Sequence, residues 1–346
     1  MERDFTQIGW DAQTEGQWRR VVREALAEDL GSVGDLTSQA LVEEHRWGQA
    51  EVVCRQAGIL AGLPGVPVLL AEVEAWLQEG TVLGCGPTGV GVEEPGRLAS
   101  HCEHPAVAGP WLGAQGEPTA ARLRWIPLAE EAQPLRPGQT VGQLQGPSRL
   151  ILACERILLN LLGRLSGIAT LTRQYVEAVS GTGAAIYDTR KTTPGWRLLE
   201  KYAVRCGGGR NHRTGLFDAI LIKDNHLALC QAQFGPAQAV QQARKYLHHI
   251  GKPHLPVEIE VDRLEQLDEV LLAGPDLILL DNMSPQQLRQ AVQRRNALNP
   301  QVLLEASGGI RLETVRQIAQ TGVDRISVGA LTHSAPSLDL GLDWLS

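Results

Sequence analysis

Apolar and polar positions follow one repeating pattern in the second half of the chain. From about residue 184, short apolar runs recur, and stretches with helical spacing separate most of them. The apolar runs cover 184–187, 219–222, 257–261, 277–280, 302–305 and 325–328, and the helical patterns cover 236–249, 263–272, 285–297 and 311–320. Strands that alternate with crossover helices are typical of parallel sheets. We predict a TIM-like α/β barrel over 184–332. A doubly wound open sheet is the alternative, because the pattern does not show closure.

The first part of the chain contains both helical and alternating patterns of apolar residues. Helical patterns cover 17–30 and 65–79, and alternating stretches over 49–61 and 138–146 indicate strands. This mixture predicts an α+β domain over 1–147.

A strong helical pattern over 148–165 opens a linking region that we place at 148–183. Ser148 is a natural N-cap for this helix. Arg156 interrupts the apolar stripe, and a charged side chain there needs a partner or a polar cleft. The pattern leaves two interpretations open: a rim arginine paired with Glu155, or a functional arginine.

Residues 84–121 follow neither period. The stretch is rich in Gly, Pro and Ala, which predicts a long surface loop or insertion. It also holds a group of possible metal ligands: Cys85, His101, Cys102, Glu103 and His104. Their spacing matches no standard zinc signature, so we favour a surface loop over a metal site.

Composition narrows the class of protein. The 346 residues suffice for two domains, and 43% hydrophobic with 21% charged residues is ordinary for a globular protein. A net charge of −7 argues against a nucleic-acid partner. The start of the chain lacks the apolar core of a secretory signal, and no apolar run reaches the length of a membrane span. Six scattered cysteines predict reduced thiols and a cytoplasmic location.

The stretch 188–226 carries the opposite charge from the chain as a whole. Eight Lys or Arg residues against four carboxylates give it a formal charge of 8 − 4 = +4. Such an excess concentrates an anionic ligand; a solvated basic surface is the alternative. Arg190 and Lys191 directly follow one apolar run, and Lys223 follows another. Arginine makes paired contacts to carboxylates while lysine supplies a point charge, so a ligand with both carboxylates and phosphates would use both.

Glycines and a histidine lie between these cations. The run 207–209 is Gly-Gly-Gly, which lets backbone approach a ligand closely. His212 follows it without a partner that would make a nucleophilic triad, so acyl transfer is not indicated. We assign His226 a structural role.

Carboxylates end the next two apolar runs. Glu260 and Asp281 would lie at neighbouring strand ends, where two carboxylates can hold Mg²⁺ directly or through water. Asp281 could instead cap the helix that follows. Glu258 shares a strand face with Glu260, so the pattern alone does not choose between them.

Small residues follow the last two runs, at 307–309 (Ser-Gly-Gly) and 328–330 (Val-Gly-Ala). Turns of this kind between a strand and a helix expose backbone N–H groups to a phosphate. Two such turns at adjacent strand ends of a barrel are a recurrent phosphate site.

Three motifs, TRKTTPG, GGGRNHR and KDNH, occur together in the stretch 188–226. With them the chain resembles the quinolinate phosphoribosyltransferase family (nicotinate-nucleotide pyrophosphorylases) of type II phosphoribosyltransferases. The similarity extends over nearly the whole chain except 84–121, which family members pass in fewer residues. It implies an N-terminal α+β domain with helices on an open antiparallel sheet, then an α/β barrel of six to seven parallel strands. It also implies that 333–346 pack back on the N-terminal domain.

The resemblance implies transfer of phosphoribosyl from phosphoribosyl pyrophosphate to the ring nitrogen of quinolinate, with loss of CO₂, to give nicotinate mononucleotide for NAD synthesis. The residues implied to bind the two carboxylates are Arg190, His212, Arg213, Lys223 and Arg156 of the partner subunit. Those implied to contact the phosphoribosyl group and its Mg²⁺ are Lys191, Glu260, Asp281, Ser307, Gly308, Gly309, Val328, Gly329 and Ala330. Thr189 is implied to bind substrate. Lys191, Lys223, Glu260 and Asp281 are the implied catalytic residues.

A homodimer or higher oligomer with shared active sites is also implied. Two alternatives stay open: a homologous enzyme that acts on another small acid such as nicotinate, and a non-catalytic barrel that binds a phosphorylated metabolite.

Overall fold

The structure is a computed structural model that describes residues 4–83, 122–230 and 235–345. The helices are α1 (Ala12–Leu30), α2 (Leu36–Leu41), α3 (Gly65–Leu83), α4 (Ser148–Ala178), α5 (Arg197–Cys206), α6 (Asp224–Cys230), α7 (Pro236–His249), α8 (Leu267–Ala273), α9 (Pro285–Leu298), α10 (Leu312–Ala319) and α11 (Ala330–His333). The strands are β1 (Trp47–Cys54), β2 (Gly58–Ile59), β3 (Arg124–Pro127), β4 (Pro134–Leu135), β5 (Thr140–Pro147), β6 (Ala185–Tyr187), β7 (Ile220–Ile222), β8 (Val257–Val261), β9 (Leu277–Asp281), β10 (Leu303–Ser307), β11 (Arg325–Ser327) and β12 (Leu340–Trp344).

The chain divides into two compact units. One comprises Met1–Trp10 and Leu165–Ser337, and the other comprises Asp11–Arg164 and Leu338–Ser346. These bounds differ from the predicted domains of 1–147 and 184–332. The first residues group with the barrel because they pack on it, and the linking region is one continuous helix, α4, in which the division falls.

The unit that contains α1 is built on an antiparallel sheet with the strand order β12-β1-β5-β3. Asp11 caps α1 by accepting hydrogen bonds from the N–H groups of Gln13 and Thr14. Trp18 of α1 is fully buried and lies directly against Gly65 at the start of α3. Strand β12 pairs with β1, so the C-terminal segment completes this sheet. The helices and the open antiparallel sheet confirm the α+β prediction.

The other unit contains a six-stranded parallel sheet with the order β6-β11-β10-β9-β8-β7. This order follows the chain around a ring that is open only between β6 and β7. A doubly wound sheet would instead reverse its order at a switch point. The barrel prediction is confirmed, and a bridge between Tyr187 and Arg210 adds the segment after α5 to the free edge of β6.

No helix in the part of the chain that the structure describes is long and apolar enough to cross a membrane. Residues 84–121 lie outside the described ranges. The predicted surface location of this stretch, and the absence of a metal from its histidines and cysteines, therefore stay predictions.

Candidate active site

The predicted cations and carboxylates come together at the carboxyl ends of the barrel strands. Lys223 follows β7, Glu260 lies near the end of β8, and Asp281 and Ser307 end β9 and β10. Asp281 and Ser307 are register partners across the sheet. Because parallel strands end at one edge, these residues form a single rim.

Lys223 and Glu260 form the rim's ion pair, with 2.7 Å between Nζ and Oε2. Their side chains are 43% and 14% exposed, so an incoming ligand can reach them. The backbone N–H of Lys223 donates to Nδ1 of His226 at 2.9 Å, which is the structural role predicted for this histidine.

Arg190 and Arg213 form a pair of like charges. Arg213 is 6% exposed, and its Nη1 donates to the carbonyl of Ala219 at 3.4 Å. Burial lowers the pKa of Arg213, and the charge of Arg190 lowers it further. The Nε atoms of both arginines are buried and have no hydrogen-bond partner among the described residues. An anion between them would satisfy these donors and relieve the repulsion.

His212 is held on both ring nitrogens. Nδ1 accepts the N–H of Arg213 at 2.8 Å, and Nε2 lies 3.0 Å from Oε2 of Glu258 and 3.6 Å from Oε1 of Glu305. Burial lowers the pKa of the imidazole, but the two carboxylates outweigh it and raise the pKa above its ordinary value. A substrate carboxylate would have to replace one of these contacts, so direct binding by His212 stays a prediction.

Glu258 and Glu260 occupy different environments, although they share a strand face. Glu258 is fully buried with Glu305 inside the barrel, whereas Glu260 reaches the rim. Apart from the ion pair with His212, the oxygens of Glu258 have no hydrogen-bond partner in the described chain. Burial raises the pKa of Glu305 to about 7, with a further contribution from Glu258. The ligand atoms of His212, Glu258 and Glu305 lie within 4.8 Å of one another.

A buried network behind the rim was missed in the sequence. Asp188 pairs with Lys201, and neither side chain is exposed. Asp188 also accepts from Nδ2 of Asn211 at 2.6 Å and from the N–H of His212 at 2.8 Å, while Lys201 donates to the carbonyl of His212 at 2.9 Å. Lys201 is therefore not one of the cations available to a ligand, but because Asp188 is paired with it the formal charge left in the stretch 188–226 is 7 − 3 = +4, unchanged. The only signal for this role was the opposite charge of Asp188 at a strand end.

The glycine run serves packing. A side chain at Gly207 or Gly209 would collide with Ala169 or Thr172 of α4. Close approach of the backbone to this helix, and not to a ligand, accounts for these two glycines.

Turns follow β10 and β11 at the two places predicted, and phosphate binding there stays a prediction. Gly308 has φ of +88°, and a Cβ there would collide with Asn282, whose Nδ2 donates to Asp281 at 2.6 Å. Gly309 follows with φ of +59°. The turn after β11 lies against Lys191, since a Cβ at Gly329 would be 3.0 Å from Cδ of this lysine.

The remaining predicted site residues make few side-chain contacts or lie elsewhere in the fold. Thr189 Oγ1 accepts the N–H of Lys191 at 3.0 Å. Val328 is buried and its N–H donates to the carbonyl of Tyr187 at 2.9 Å, so this group belongs to the barrel and not to the turn. Ala330 begins α11. Arg156 is exposed and belongs to the unit of α1.

Comparisons with known proteins identify the family and agree with the fold. Residues 168–343 match the family model described as quinolinate phosphoribosyl transferase, C-terminal domain. A nicotinate-nucleotide pyrophosphorylase [carboxylating] of Mycobacterium leprae is 41% identical over 94% of this chain and 96% of its own length. The quinolinate phosphoribosyltransferase [decarboxylating] 2b of Nicotiana tabacum is 33% identical over 94% and 81%. The solved nicotinate-nucleotide pyrophosphorylase of Francisella tularensis has a TM-score of 0.77 at 34% identity, over 99% of this chain and all of that one.

Proposed function

Since this chain belongs to the quinolinate phosphoribosyltransferase family, we propose that the rim of its barrel is the active site. The chain is a pentosyltransferase of NAD biosynthesis. It transfers the phosphoribosyl group of phosphoribosyl pyrophosphate to the ring nitrogen of quinolinate. Pyrophosphate, CO₂ and nicotinate mononucleotide are the products.

The observation that carries the site assignment is the pair Arg190 and Arg213. Two guanidinium groups with buried, unpaired Nε donors repel each other until an anion lies between them. Lys223 adds a partly exposed ammonium at the rim. A planar acid with two adjacent carboxylates can pair with these groups, which supports quinolinate as the ligand.

The proposed site for the phosphoribosyl group lies at the ends of β10 and β11. The N–H groups of the turn at 307–309 and those of Gly329 and Ala330 are offered to its phosphates, and Lys191 lies against the second turn. The leaving group carries negative charge, so a fixed lysine and oriented amides stabilise it without reorganisation.

We also propose that Mg²⁺ accompanies phosphoribosyl pyrophosphate. Glu260 and Asp281 are partly exposed oxygen donors at the rim, a set that suits Mg²⁺ held with several waters. Lys223 contacts Oε2 of Glu260 and Asn282 contacts Oδ2 of Asp281. These two carboxylates would hold the ion, directly or through water, and the ion would offset the charge of the pyrophosphate.

The order of events follows from the chemistry. The ring nitrogen forms its bond to C1 of the ribose as the bond to pyrophosphate breaks, and the ring becomes cationic. The bond to the 2-carboxylate then breaks, its electrons remain on the ring carbon beside the cationic nitrogen, and a proton takes the place of CO₂. The arginines contribute by holding the acid in position.

Quinolinate should therefore react, whereas nicotinate should be a poor substrate, because one carboxylate leaves a buried guanidinium unpaired. An unpaired buried group costs about 1–3 kcal/mol, or about 5- to 150-fold in kcat/KM. The test measures nicotinate mononucleotide and CO₂ from quinolinate, phosphoribosyl pyrophosphate and Mg²⁺, with nicotinate as the matched substrate. Equal turnover of both acids would contradict this assignment, and no turnover of either would favour a binding barrel.

We further propose a homodimer in which Arg156 of the partner subunit completes each site. Support comes from the position of Arg156, an exposed cation on α4 with buried Ile157 and Cys154 beside it. We place the enzyme in the cytoplasm, since the described cysteines (Cys54, Cys154, Cys206 and Cys230) are free thiols.

A further inference from the structure

Residues 4–8 lie across the amino-terminal end of the barrel. Phe5 is 5% exposed and packs with Tyr187, Ala219 and Leu277 in one apolar cluster. Leu277 is the first residue of β9, and Ala219 directly precedes β7. These two residues place the cluster at the starts of β7 and β9, and the side chain of Tyr187 reaches it from the last residue of β6.

The same residues bind the loop that carries His212. The Gln7 side chain bonds to the backbone of Asn211 twice: Nε2 donates to the carbonyl at 3.1 Å, and Oε1 accepts the N–H at 2.9 Å. The N–H of Ile8 donates to Oδ1 of Asn211 at 2.7 Å. The ring of Phe5 stacks on the imidazole of His212, with centroids 4.2 Å apart. Residues 4–8 therefore contact both the backbone and the side chains of this loop.

Asp4 adds an ion pair between this segment and the barrel. Its Oδ1 lies 2.9 Å from Nη1 of Arg325, and its Oδ2 accepts from the Tyr187 hydroxyl at 3.2 Å. The guanidinium of Arg325 is 3% exposed and lies over the rings of Tyr187 and Phe5. A buried cation of this kind needs its carboxylate, which fixes the start of the segment in place.

The loop needs such support. In the described part of the sheet, it pairs with the barrel strands only through the bridge between Tyr187 and Arg210. The Asp188 and Lys201 pair holds it from the side of α5. Residues 4–8 supply the contacts from the end of the barrel where β7 and β9 start.

We propose that residues 4–8 are a positioning element for quinolinate. They fix the main chain at Asn211 and the imidazole of His212, and so determine where the guanidinium of Arg213, two residues further on, meets a substrate carboxylate. Phe5 and Gln7 act through this loop and do not touch the substrate. The proposal rests on the proposed function for its ligand, but its structural part does not.

Gln7→Glu tests the proposal with little change in shape. The variant keeps the acceptor for the Asn211 N–H and faces the Asn211 carbonyl with a carboxylate oxygen. We expect the KM for quinolinate to rise about 3- to 10-fold, the value of one or two hydrogen bonds. The KM for phosphoribosyl pyrophosphate and kcat should stay within about twofold. Phe5→Leu, which fills the space without the ring, should give the same split.

Thr6→Ala is the matched control, because the Thr6 side chain is exposed in the same segment. It should leave both KM values unchanged. A Gln7→Glu enzyme that behaves like Thr6→Ala, or that raises both KM values alike, overturns the proposal.

Hydrogen exchange separates this proposal from the proposed function. In Gln7→Ala the Asn211 amide loses its acceptor, so peptides covering 207–213 should exchange at least about 10-fold faster, while peptides of β8 and β9 stay unchanged. This readout needs no substrate. Unaltered exchange at 207–213 contradicts the positioning role, whereas failure of the wild type to consume quinolinate contradicts the function alone.

Discussion

Lys201 and Lys223 carry the same charge in the same stretch of chain, yet their surroundings give them different tasks. Lys201 has no exposed surface and pairs with Asp188, while Lys223 is 43% exposed and meets Glu260 at the rim. Burial lowers the pKa of Lys201 against the attraction of Asp188. The buried lysine supports the loop of His212, and the exposed one is available to a substrate.

Glu305 should make the stability of the barrel depend on pH. Burial raises its pKa from the ordinary 4.5 to about 7, so the folded chain holds a proton there that the unfolded chain has released. The contribution is fully present below pH 4.5 and is lost as the pH rises towards 7. Since one pKa unit equals about 1.4 kcal/mol, the loss is about 3 kcal/mol at most. The raised pKa of His212 acts in the same direction.

Glu305→Gln removes this ionisation and keeps the shape of the side chain. Wild type should therefore lose free energy of unfolding relative to the variant between pH 5 and pH 8, as measured by urea denaturation at each pH. Glu269→Gln, at an exposed position of α8, is the control and should show no such trend. A difference between wild type and Glu305→Gln that does not change with pH would contradict the assignment.

At this scale the sequence revealed the types of residue in the site but not their partners. Arg190, Lys191 and Lys223 could be placed at strand ends because apolar runs precede them, whereas Arg213 follows a glycine run and His212. The choice between Glu258 and Glu260 could not be made, since two residues on one strand face differ here only in depth along the barrel. How deeply each carboxylate is buried depends on the elements that pack over the strand, and the sequence of one strand gives no information about them.

Among the elements, the turn after β10 combines two constraints on one residue. Gly308 needs φ of +88°, and a Cβ would collide with Asn282 beside Asp281. A side chain there would strain the turn and displace the amides that we propose bind the phosphate.

We therefore expect Gly308→Ala to lower the free energy of unfolding by about 1–3 kcal/mol and to raise the KM for phosphoribosyl pyrophosphate more than the KM for quinolinate. Gly183→Ala is the control, because the space around Gly183 is open and its φ is not positive. Steady-state kinetics with each substrate varied in turn would decide. An equal effect on both KM values would show that the turn does not bind the phosphoribosyl group.

Element positions were well predicted where the period was clear. The run 257–261 coincides with β8, and the helical pattern 236–249 coincides with α7. The packing role of Gly207 and Gly209 was not predicted. They contact α4, which ends 29 residues before Gly207, so their neighbour is distant in sequence. A glycine shows that backbone comes close to something, and only the fold shows to what.

At the scale of the whole molecule, the barrel depends on residues far from it in sequence. Gln7 and Asn211 are separated by 204 positions, and Asp4 and Arg325 by 321. The segment 4–8 has no periodic pattern, so nothing in the sequence marked it as part of the barrel unit. Its place follows only from the cluster that Phe5 completes at the starts of β7 and β9.

Whether Arg156 acts in the active site of the partner subunit can be tested with a dimer of two different variants. A shared site requires a two-fold dimer in which the same surface of both subunits forms the interface. Arg156→Ala and Lys223→Ala should each inactivate their own homodimer, because every site then lacks one cation. In a mixed dimer, one site contains Lys223 from one subunit and Arg156 of the partner subunit, both intact, and the other site lacks both.

Random exchange of equal amounts of the two variants should thus restore about a quarter of wild-type activity, since half of the dimers are mixed and each has one complete site. Differently tagged subunits, purified sequentially, would confirm that exchange has occurred and isolate the mixed species. The isolated mixed dimer should then reach about half of wild-type activity with a normal KM for quinolinate. If it is no more active than its parents, Arg156 acts in its own subunit or not at all.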